Sequence, residues 1–247
     1  SPNDEATQWS QSVYMEIEAK FKIADDTTFS ELLQTSSLGA FTCISTPGIE
    51  YQQNTYFDTP DRQLHQRRYS LRVRDTGKRR IATVKHSLGG PAKLRRNEEW
   101  EVELIAGIHP HDWPASPARE RALGLLGDAV LLPLLTIYTQ RQFIYAMLGT
   151  TIVAELSLDQ GTIHAGGREL DFRELEVELV GDGHYANLAA LLEQLQARFA
   201  LVHEPLGKKK RGMALLDGRL GTPRTLHQVP ASTNLAKSAL ALALRMR

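Results

Sequence analysis

The sequence has one cysteine, few aromatic residues and no excess of either charge. Cys43 is the only thiol in 247 residues, so the chain can form neither an internal disulfide nor a cysteine-ligated zinc site. Equal numbers of basic and acidic residues, 29 each, argue against the open basic face of a nucleic-acid binder. No apolar run is long enough to span a bilayer. We therefore expect a cytoplasmic protein without nucleic-acid or membrane partners.

What the sequence does contain is charge that alternates with apolar residues. In Glu16–Lys20 the period is two, which in a strand places both carboxylates and the ammonium on one face. One such strand is typical of an ordinary solvated face. The alternation recurs, however, at Arg72–Arg74, Thr83–Lys85, Glu99–Glu103 and Glu174–Glu178.

Strands of this kind form either a sheet with one wet side or a closed sheet whose charged sides face a lumen. The grouping favours the lumen, because acids lie on some strands and bases on others. Like charges along one strand repel unless opposite charge lies between them. Divalent cations would relieve the acidic strands and a polyanion the basic ones, and a metal-chelated chain of phosphates supplies both.

The order of elements predicts an α+β chain that is mainly antiparallel β, a closed eight-stranded tunnel barrel with helices packed outside. Asp25 should cap a helix that Gly39 ends, and Leu158–Gly161 should be a turn between strands 150–158 and 161–165. Helical patterns also cover 118–126, 184–199 and 208–216. We divide the chain into a disordered leader or cloning remnant (1–12), a tunnel domain (13–218) and a linker with a helical tail (219–247).

These residues resemble the CYTH domain, the family of triphosphate tunnel metalloenzymes. Glu16, Glu18 and Lys20 match its ExExK signature. Further matches follow in the family's order: Tyr56–Asp61, Ser70–Arg74, Thr83–Lys85, Glu99–Glu101, Arg141, Leu158–Gly161, Glu174–Glu178 and Lys208–Gly212. The resemblance covers about residues 13–218. Within the family, the sequence is most similar to bacterial inorganic triphosphatases.

The resemblance implies a metal-dependent hydrolase that cleaves inorganic triphosphate to pyrophosphate and phosphate with Mg²⁺ or Mn²⁺. The substrate is then triphosphate or another phosphate chain, and the tail points to a C-terminal helical partner domain. The same fold hosts thiamine triphosphatases, RNA 5′-triphosphatases and class IV-type adenylate cyclases. A non-catalytic polyphosphate- or nucleotide-binding module is a further alternative.

The family's site residues transfer to matching positions in this sequence. The catalytic residues are Glu16, Glu18, Lys20 and Lys85. The substrate-binding residues are Arg72, Arg74, Lys85, Arg95, Arg141, Lys208 and Arg211. The metal ligands are Glu16, Glu18, Glu99, Glu101, Asp159, Glu174, Glu176 and Glu178. Parity places Arg95 on the face of Glu99, and Arg96 would share that face only through a bulge, so both arginines remain candidates. Parity also places Trp100 outside. We expect no aromatic platform on the inward parities, which would favour a bare triphosphate.

Overall fold

The computed structural model describes residues 13–90 and 93–220. The predicted leader and helical tail lie outside these ranges. The strands are β1 (Tyr14–Ile23), β2 (Ser37–Leu38), β3 (Phe41–Ser45), β4 (Glu50–Asp58), β5 (Tyr69–Asp75), β6 (Arg80–Gly89), β7 (Arg95–Leu104), β8 (Leu132–Leu148), β9 (Thr151–Ala165), β10 (Arg168–Leu179) and β11 (Leu201–His203). The helices are α1 (Asp26–Leu33), α2 (Gln63–Gln66), α3 (Pro117–Leu126), α4 (Tyr185–Arg198) and α5 (Lys208–Leu216), with a 3₁₀ turn at Pro110–Asp112. Within the described ranges, no helix has the length and apolar character needed to cross a membrane.

Eight antiparallel strands form a closed ring in the order β4-β5-β6-β7-β1-β10-β9-β8, and β8 pairs back to β4. The mainly antiparallel fold with a central tunnel is therefore confirmed. β3 continues the sheet beside the last residues of β8, and β11 pairs with the end of β1. Since every ring strand is paired on both sides, none has a free edge.

The apolar residues of the alternating strands lie on the outside of the ring, under the helices. Phe21 and Leu175 pack beneath α1 and α4, where Leu188 and Leu191 are fully buried. A second cluster around Trp100 packs beneath α3. Each fully buried leucine contributes about 1.5–3 kcal/mol through burial. The outer core thus stabilises the ring while its inner face stays charged.

Helix α5 lies across one end of the ring. Met213 and Leu215 pack against Leu135, Ile163 and Phe172, which share the inward face with the charged residues. The side chains of Leu135 and Ile163 leave no room for a larger residue at position 212, since a Cβ on Gly212 would lie 2.8 Å from Leu135. We call this the α5 end and the opposite end, where β1 begins, the Tyr14 end.

Two local predictions are wrong. β9 runs straight through Leu158–Gly161, because Gly161 serves a close backbone approach and not a turn: a Cβ there would lie 1.9 Å from the Tyr138 carbonyl oxygen of β8. α1 ends at Leu33, since the next residues form β2. Gly39 instead occupies the turn after β2, with a φ of 57°.

The close approach at Gly161 makes a testable difference between two glycines. Gly161→Ala should lower the free energy of unfolding by at least about 2 kcal/mol, because backbone must move to admit the methyl group. Gly124→Ala is the matched control, since it lies in α3 and its Cβ would meet nothing within 4 Å. It should raise stability by about 1 kcal/mol. Denaturant unfolding of both variants measures the contrast, and equal shifts would contradict the strand geometry.

Candidate active site

The lumen is lined by every predicted site residue that lies on a strand. Glu18 pairs in register with Glu178, and Lys20 pairs with Glu176, so these four side chains lie on the same face of the two neighbouring strands. The registers of β5 to β9 place the other predicted strand residues on the same inner face. Lys208 and Arg211 enter from α5. The structure thus brings together acids and bases that are far apart in sequence.

An acidic triad lies near the α5 end. Carboxylate oxygens of Asp159, Glu174 and Glu176 come within 4.8 Å of one another. Arg141 donates to both oxygens of Asp159, at 2.7 and 2.6 Å, and to Glu176 at 3.0 Å. Lys208 Nζ lies 2.9 Å from Asp159 and 2.5 Å from Glu176, and it also pairs with Glu174. Basic side chains therefore already surround this triad.

The pKa values of the triad show this neutralisation. Burial raises the pKa of Glu176, but Lys20, Lys208 and Arg141 outweigh it and hold that pKa well below its usual range. Burial likewise opposes ionisation of Asp159, yet Arg141 and Lys208 keep its pKa low. Glu174 is also paired with Arg211 of α5. The triad consequently anchors the α5 helix.

Lys85 holds a second group of acids on β1 and β7. Its Nζ lies 2.7 Å from Glu16 and 2.6 Å from Glu99. Asn97 donates to the same Glu16 oxygen at 2.7 Å. Burial raises the pKa of Glu16, and Lys85 with Lys20 outweighs that effect, so the pKa lies below its ordinary value.

Glu18 and Glu178 are acids whose ionised forms the lumen does not fully offset. Glu18 is 2% exposed, and its ion-pair partner among the described residues is Lys20, at 3.2 Å. Burial, with the nearby Glu16 charge, raises its pKa despite Lys20. Burial and the charge of Glu16 also raise the pKa of Glu178 to about 8, although Tyr14 donates to it at 2.7 Å. Acid is in local excess here.

Arg74 is the opposite case. Its Nε donates to the neutral Asn54 amide at 2.8 Å, and no carboxylate of the described residues lies within 4 Å of it. Burial and the positive charges of Arg72 and Arg141 lower its pKa from the ordinary value. An arginine nevertheless keeps its proton at neutral pH. Arg74 is therefore a half-buried positive charge in need of an anion.

The remaining predicted residues occupy less central positions. Arg95 faces inward as parity predicts, and Arg96 is exposed. Arg95 donates to the Glu204 carbonyl at 2.9 Å, near the start of α5. Arg72 lies 3.8 Å from Glu101, whose side chain is 50% exposed.

Sequence reasoning missed several polar residues on the inner face. Gln52 and Asn54 of β4 are buried, Asn97 contacts Glu16, and Glu155 is opposite Tyr145. Their alternation along strands was a usable signal, but neutral amides stand out less than charged residues.

The expectation of an inner face without aromatic residues is wrong. Trp100 lies outside as predicted, but Phe143 and Tyr145 share the inward parity of Arg141, and the Arg141 guanidinium lies 6.0 Å from the Phe143 ring. Tyr14 shares the parity of Glu16. The parity of strand β8 was readable from Arg141, so this signal was present in the sequence.

Two hollows lie in or beside the ring of strands. Beside Arg72 and Lys85 lies a cavity of about 10 Å³, room for about one water. A larger hollow of about 280 Å³ lies around Gly161 and is lined largely by outward-facing residues of β8 to β10, away from the paired charges. Because Lys85, Arg141 and Lys208 are paired with carboxylates, a ligand that binds them must exchange with existing ion pairs.

Comparison with known proteins agrees with this arrangement. The chain is 27% identical over 167 residues to an inorganic triphosphatase of Haemophilus influenzae, covering 66% of this chain and 45% of the relative. The chain thus spans less than half the length of that relative.

Solved structures share the fold at low identity. A putative adenylyl cyclase from Hippeastrum, described as having a dominant triphosphatase activity, aligns with a TM-score of 0.60 at 18% identity, covering 83% of this chain and 97% of the other. A putative adenylate cyclase from Bacillus halodurans aligns with a TM-score of 0.54 at 20% identity, covering 79% and 95%. The CYTH domain profile matches residues 15–207, and the chain belongs to the CYTH domain family.

Proposed function

We propose that this protein is a metal-dependent hydrolase that cleaves inorganic triphosphate into pyrophosphate and phosphate. The observation that carries the proposal is that one closed ring of strands holds both a cation and acids that lack full compensation by neighbouring side chains. Arg74 has no carboxylate partner, while Glu18 has Lys20 as its one ion-pair partner and Glu178 has none among the described residues. A metal-bound phosphate chain offsets both at once. The similarity to an inorganic triphosphatase supports the same substrate.

The donor set fits Mg²⁺ or Mn²⁺, which prefer carboxylate oxygens. Although the triad of Asp159, Glu174 and Glu176 has the closest oxygens, its charge is already offset by basic side chains. We therefore assign Glu16, Glu18 and Glu178 as the principal ligands. A bound metal would neutralise phosphate charge and lower the pKa of a coordinated water.

The chain's own residues bind and orient the phosphate chain. Arg72, Arg74 and Arg141 offer guanidinium groups to phosphoryl oxygens, and Lys20 and Lys85 offset charge that develops during transfer. Glu16 and Glu18 orient a water toward the terminal phosphorus. Attack forms one P–O bond and breaks the bond to the bridging oxygen, which leaves as pyrophosphate.

An organic triphosphate is the second candidate, and the inward aromatic side chains favour it. Tyr14, Phe143 and Tyr145 lie toward the Tyr14 end, where a base or ring attached to the phosphate chain would sit. These rings are the observation that distinguishes a thiamine or nucleoside triphosphatase from the proposal.

The deciding experiment is phosphate release from inorganic triphosphate, ATP and thiamine triphosphate with Mg²⁺ and with Mn²⁺. Inorganic triphosphate should have a kcat/KM at least about tenfold above the others. EDTA should abolish turnover and excess metal should restore it. Glu18→Gln should lose most turnover, whereas Glu193→Gln, on the exposed face of α4, should not. Full turnover in EDTA, or faster hydrolysis of an organic triphosphate, would contradict the proposal.

Arg74 and Arg141 differ in their ion-pair partners. This difference predicts opposite effects on stability when each is substituted. Arg74→Met removes a half-buried charge without a carboxylate partner, so the melting temperature should hold or rise. Arg141→Met leaves Asp159 with Lys208 as its remaining cation and should lower stability by up to about 3–5 kcal/mol. Both variants should bind triphosphate more weakly in calorimetric titration with Ca²⁺. A large loss of stability in Arg74→Met would show that its charge is compensated.

Glu178 predicts a pH dependence in metal-free buffer. Its carboxyl binds a proton more tightly when folded, with a pKa of about 8, than when unfolded, at about 4.3. Wild-type stability therefore falls as pH rises between these values. Glu178→Gln removes this loss, so its melting temperature relative to wild type should climb from pH 5 to pH 8.5, while Glu193→Gln should show no trend. A flat difference for Glu178→Gln would refute the raised pKa.

A further inference from the structure

A line of hydrogen bonds runs along the inner face of β4 and ends at Arg74. Arg74 Nε donates to Asn54 Oδ1 at 2.8 Å, Asn54 Nδ2 donates to Gln52 Oε1 at 3.3 Å, and Gln52 Nε2 donates to Glu50 Oε1 at 2.6 Å. Gln52 and Asn54 are 3% and 5% exposed. We call Glu50, Gln52 and Asn54 the β4 relay.

The direction of the β4 relay is set by its two ends. An ionised carboxylate only accepts hydrogen bonds and a guanidinium only donates them. The amide nitrogen of Gln52 must therefore face Glu50, which turns its oxygen toward Asn54. Asn54 must then donate to Gln52 and present its own oxygen to Arg74. The two ends of the relay thus fix the orientation of both amides, and no hydrogen bond to solvent is needed for this.

The acceptor for Arg74 is neutral, which distinguishes it from Arg141. Asp159 binds Arg141 through two charged contacts and offsets its charge. Asn54 orients Arg74 through Nε but leaves the net positive charge of the guanidinium in place. The two Nη groups make no ion pair among the described residues. Asn54 thus orients the Arg74 guanidinium without neutralising its charge.

We propose that Asn54, oriented by Glu50 through Gln52, is a positioning residue that aims Arg74 at a phosphoryl group while preserving its full charge. The inference rests on the proposed function in one respect, that the ligand is a phosphate chain. It adds that the carboxylate of the β4 relay must stay at position 50 and away from position 54.

The test moves that carboxylate from one end of the relay to the other. In the double variant Glu50→Gln/Asn54→Asp, the Gln52 amide reverses and donates to the new carboxylate at position 54, while the new amide at position 50 donates to Gln52. Every hydrogen bond of the relay is then satisfied, and net charge is unchanged. Arg74 keeps an acceptor at Nε but gains an ion pair. The single variants Asn54→Asp and Glu50→Gln separate the two changes. Gln140→Glu adds a charge to the exposed outer face of β8 as the control for Asn54→Asp.

Calorimetric titration with inorganic triphosphate in Ca²⁺, with steady-state kinetics in Mg²⁺, provides the measurement. The double variant should melt near the wild-type temperature, bind triphosphate at least about tenfold more weakly and show its main effect in KM. Asn54→Asp should weaken binding similarly, and Gln140→Glu should not. A purely structural role for Asn54 predicts unchanged affinity, because the hydrogen bond to Arg74 is kept.

The outcomes separate this inference from the proposed function. Affinity of the double variant within about twofold of wild type overturns the inference and leaves the function standing. Failure of the double variant to fold also overturns it, since the reversed relay leaves no bond unmade. A wild-type protein that binds triphosphate without hydrolysing it refutes the function, while the affinity ratio still judges the inference. A wild-type protein that binds no triphosphate refutes both.

Discussion

The structure depends on enclosing both signs of charge in one ring of strands. Because the ring has no free edge, charged side chains on its inner face cannot turn away to bulk water. Removing ions from water costs several kcal/mol each, and mutual pairing returns that cost only with good geometry. Lys85 between Glu16 and Glu99, and Arg141 on Asp159, have such geometry. The outer apolar core must stabilise the ring enough to tolerate this interior.

Ion pairing is uneven along the tunnel. This separates the charged residues that hold the fold together from those that are available to bind a ligand. At the α5 end, Lys208 and Arg211 reach the acidic triad from the helix, so those ion pairs fix α5 in place. Farther along, Glu18 and Glu178 share too few cations, and Arg74 has no carboxylate. Predicted ligands with the same residue type thus have different roles because of what faces them. Residue type and parity alone did not distinguish these roles.

Strand parity predicted the inner face well because side-chain direction in a strand is a local property. It placed Arg95 inward and Trp100 outward, and it put the acids of β1 and β10 on the inner face, where the structure pairs the two strands. Parity could not reveal contacts set by distant chain segments. The position of α5 across the ring and the approach of Tyr138 to Gly161 are of that kind. The inward direction of the aromatic residues beside Arg141 was predictable from strand parity, although the sequence analysis assigned only charged residues to the inner face.

The neutral relay behind Arg74 suggests an order for ligand entry. Arg141 and Lys85 must each leave carboxylates before they can hold a phosphate, so binding there requires an exchange of partners. Arg74 has no charged partner to release. A phosphate chain therefore meets least competition at Arg74, and its charge, once held, lowers the cost of freeing Arg141. The freed carboxylates in turn become available to a metal that travels with the phosphates. On this reasoning, one neutral amide at Asn54 lets a tunnel in which Arg141 and Lys85 are already paired begin to exchange its ion pairs for substrate.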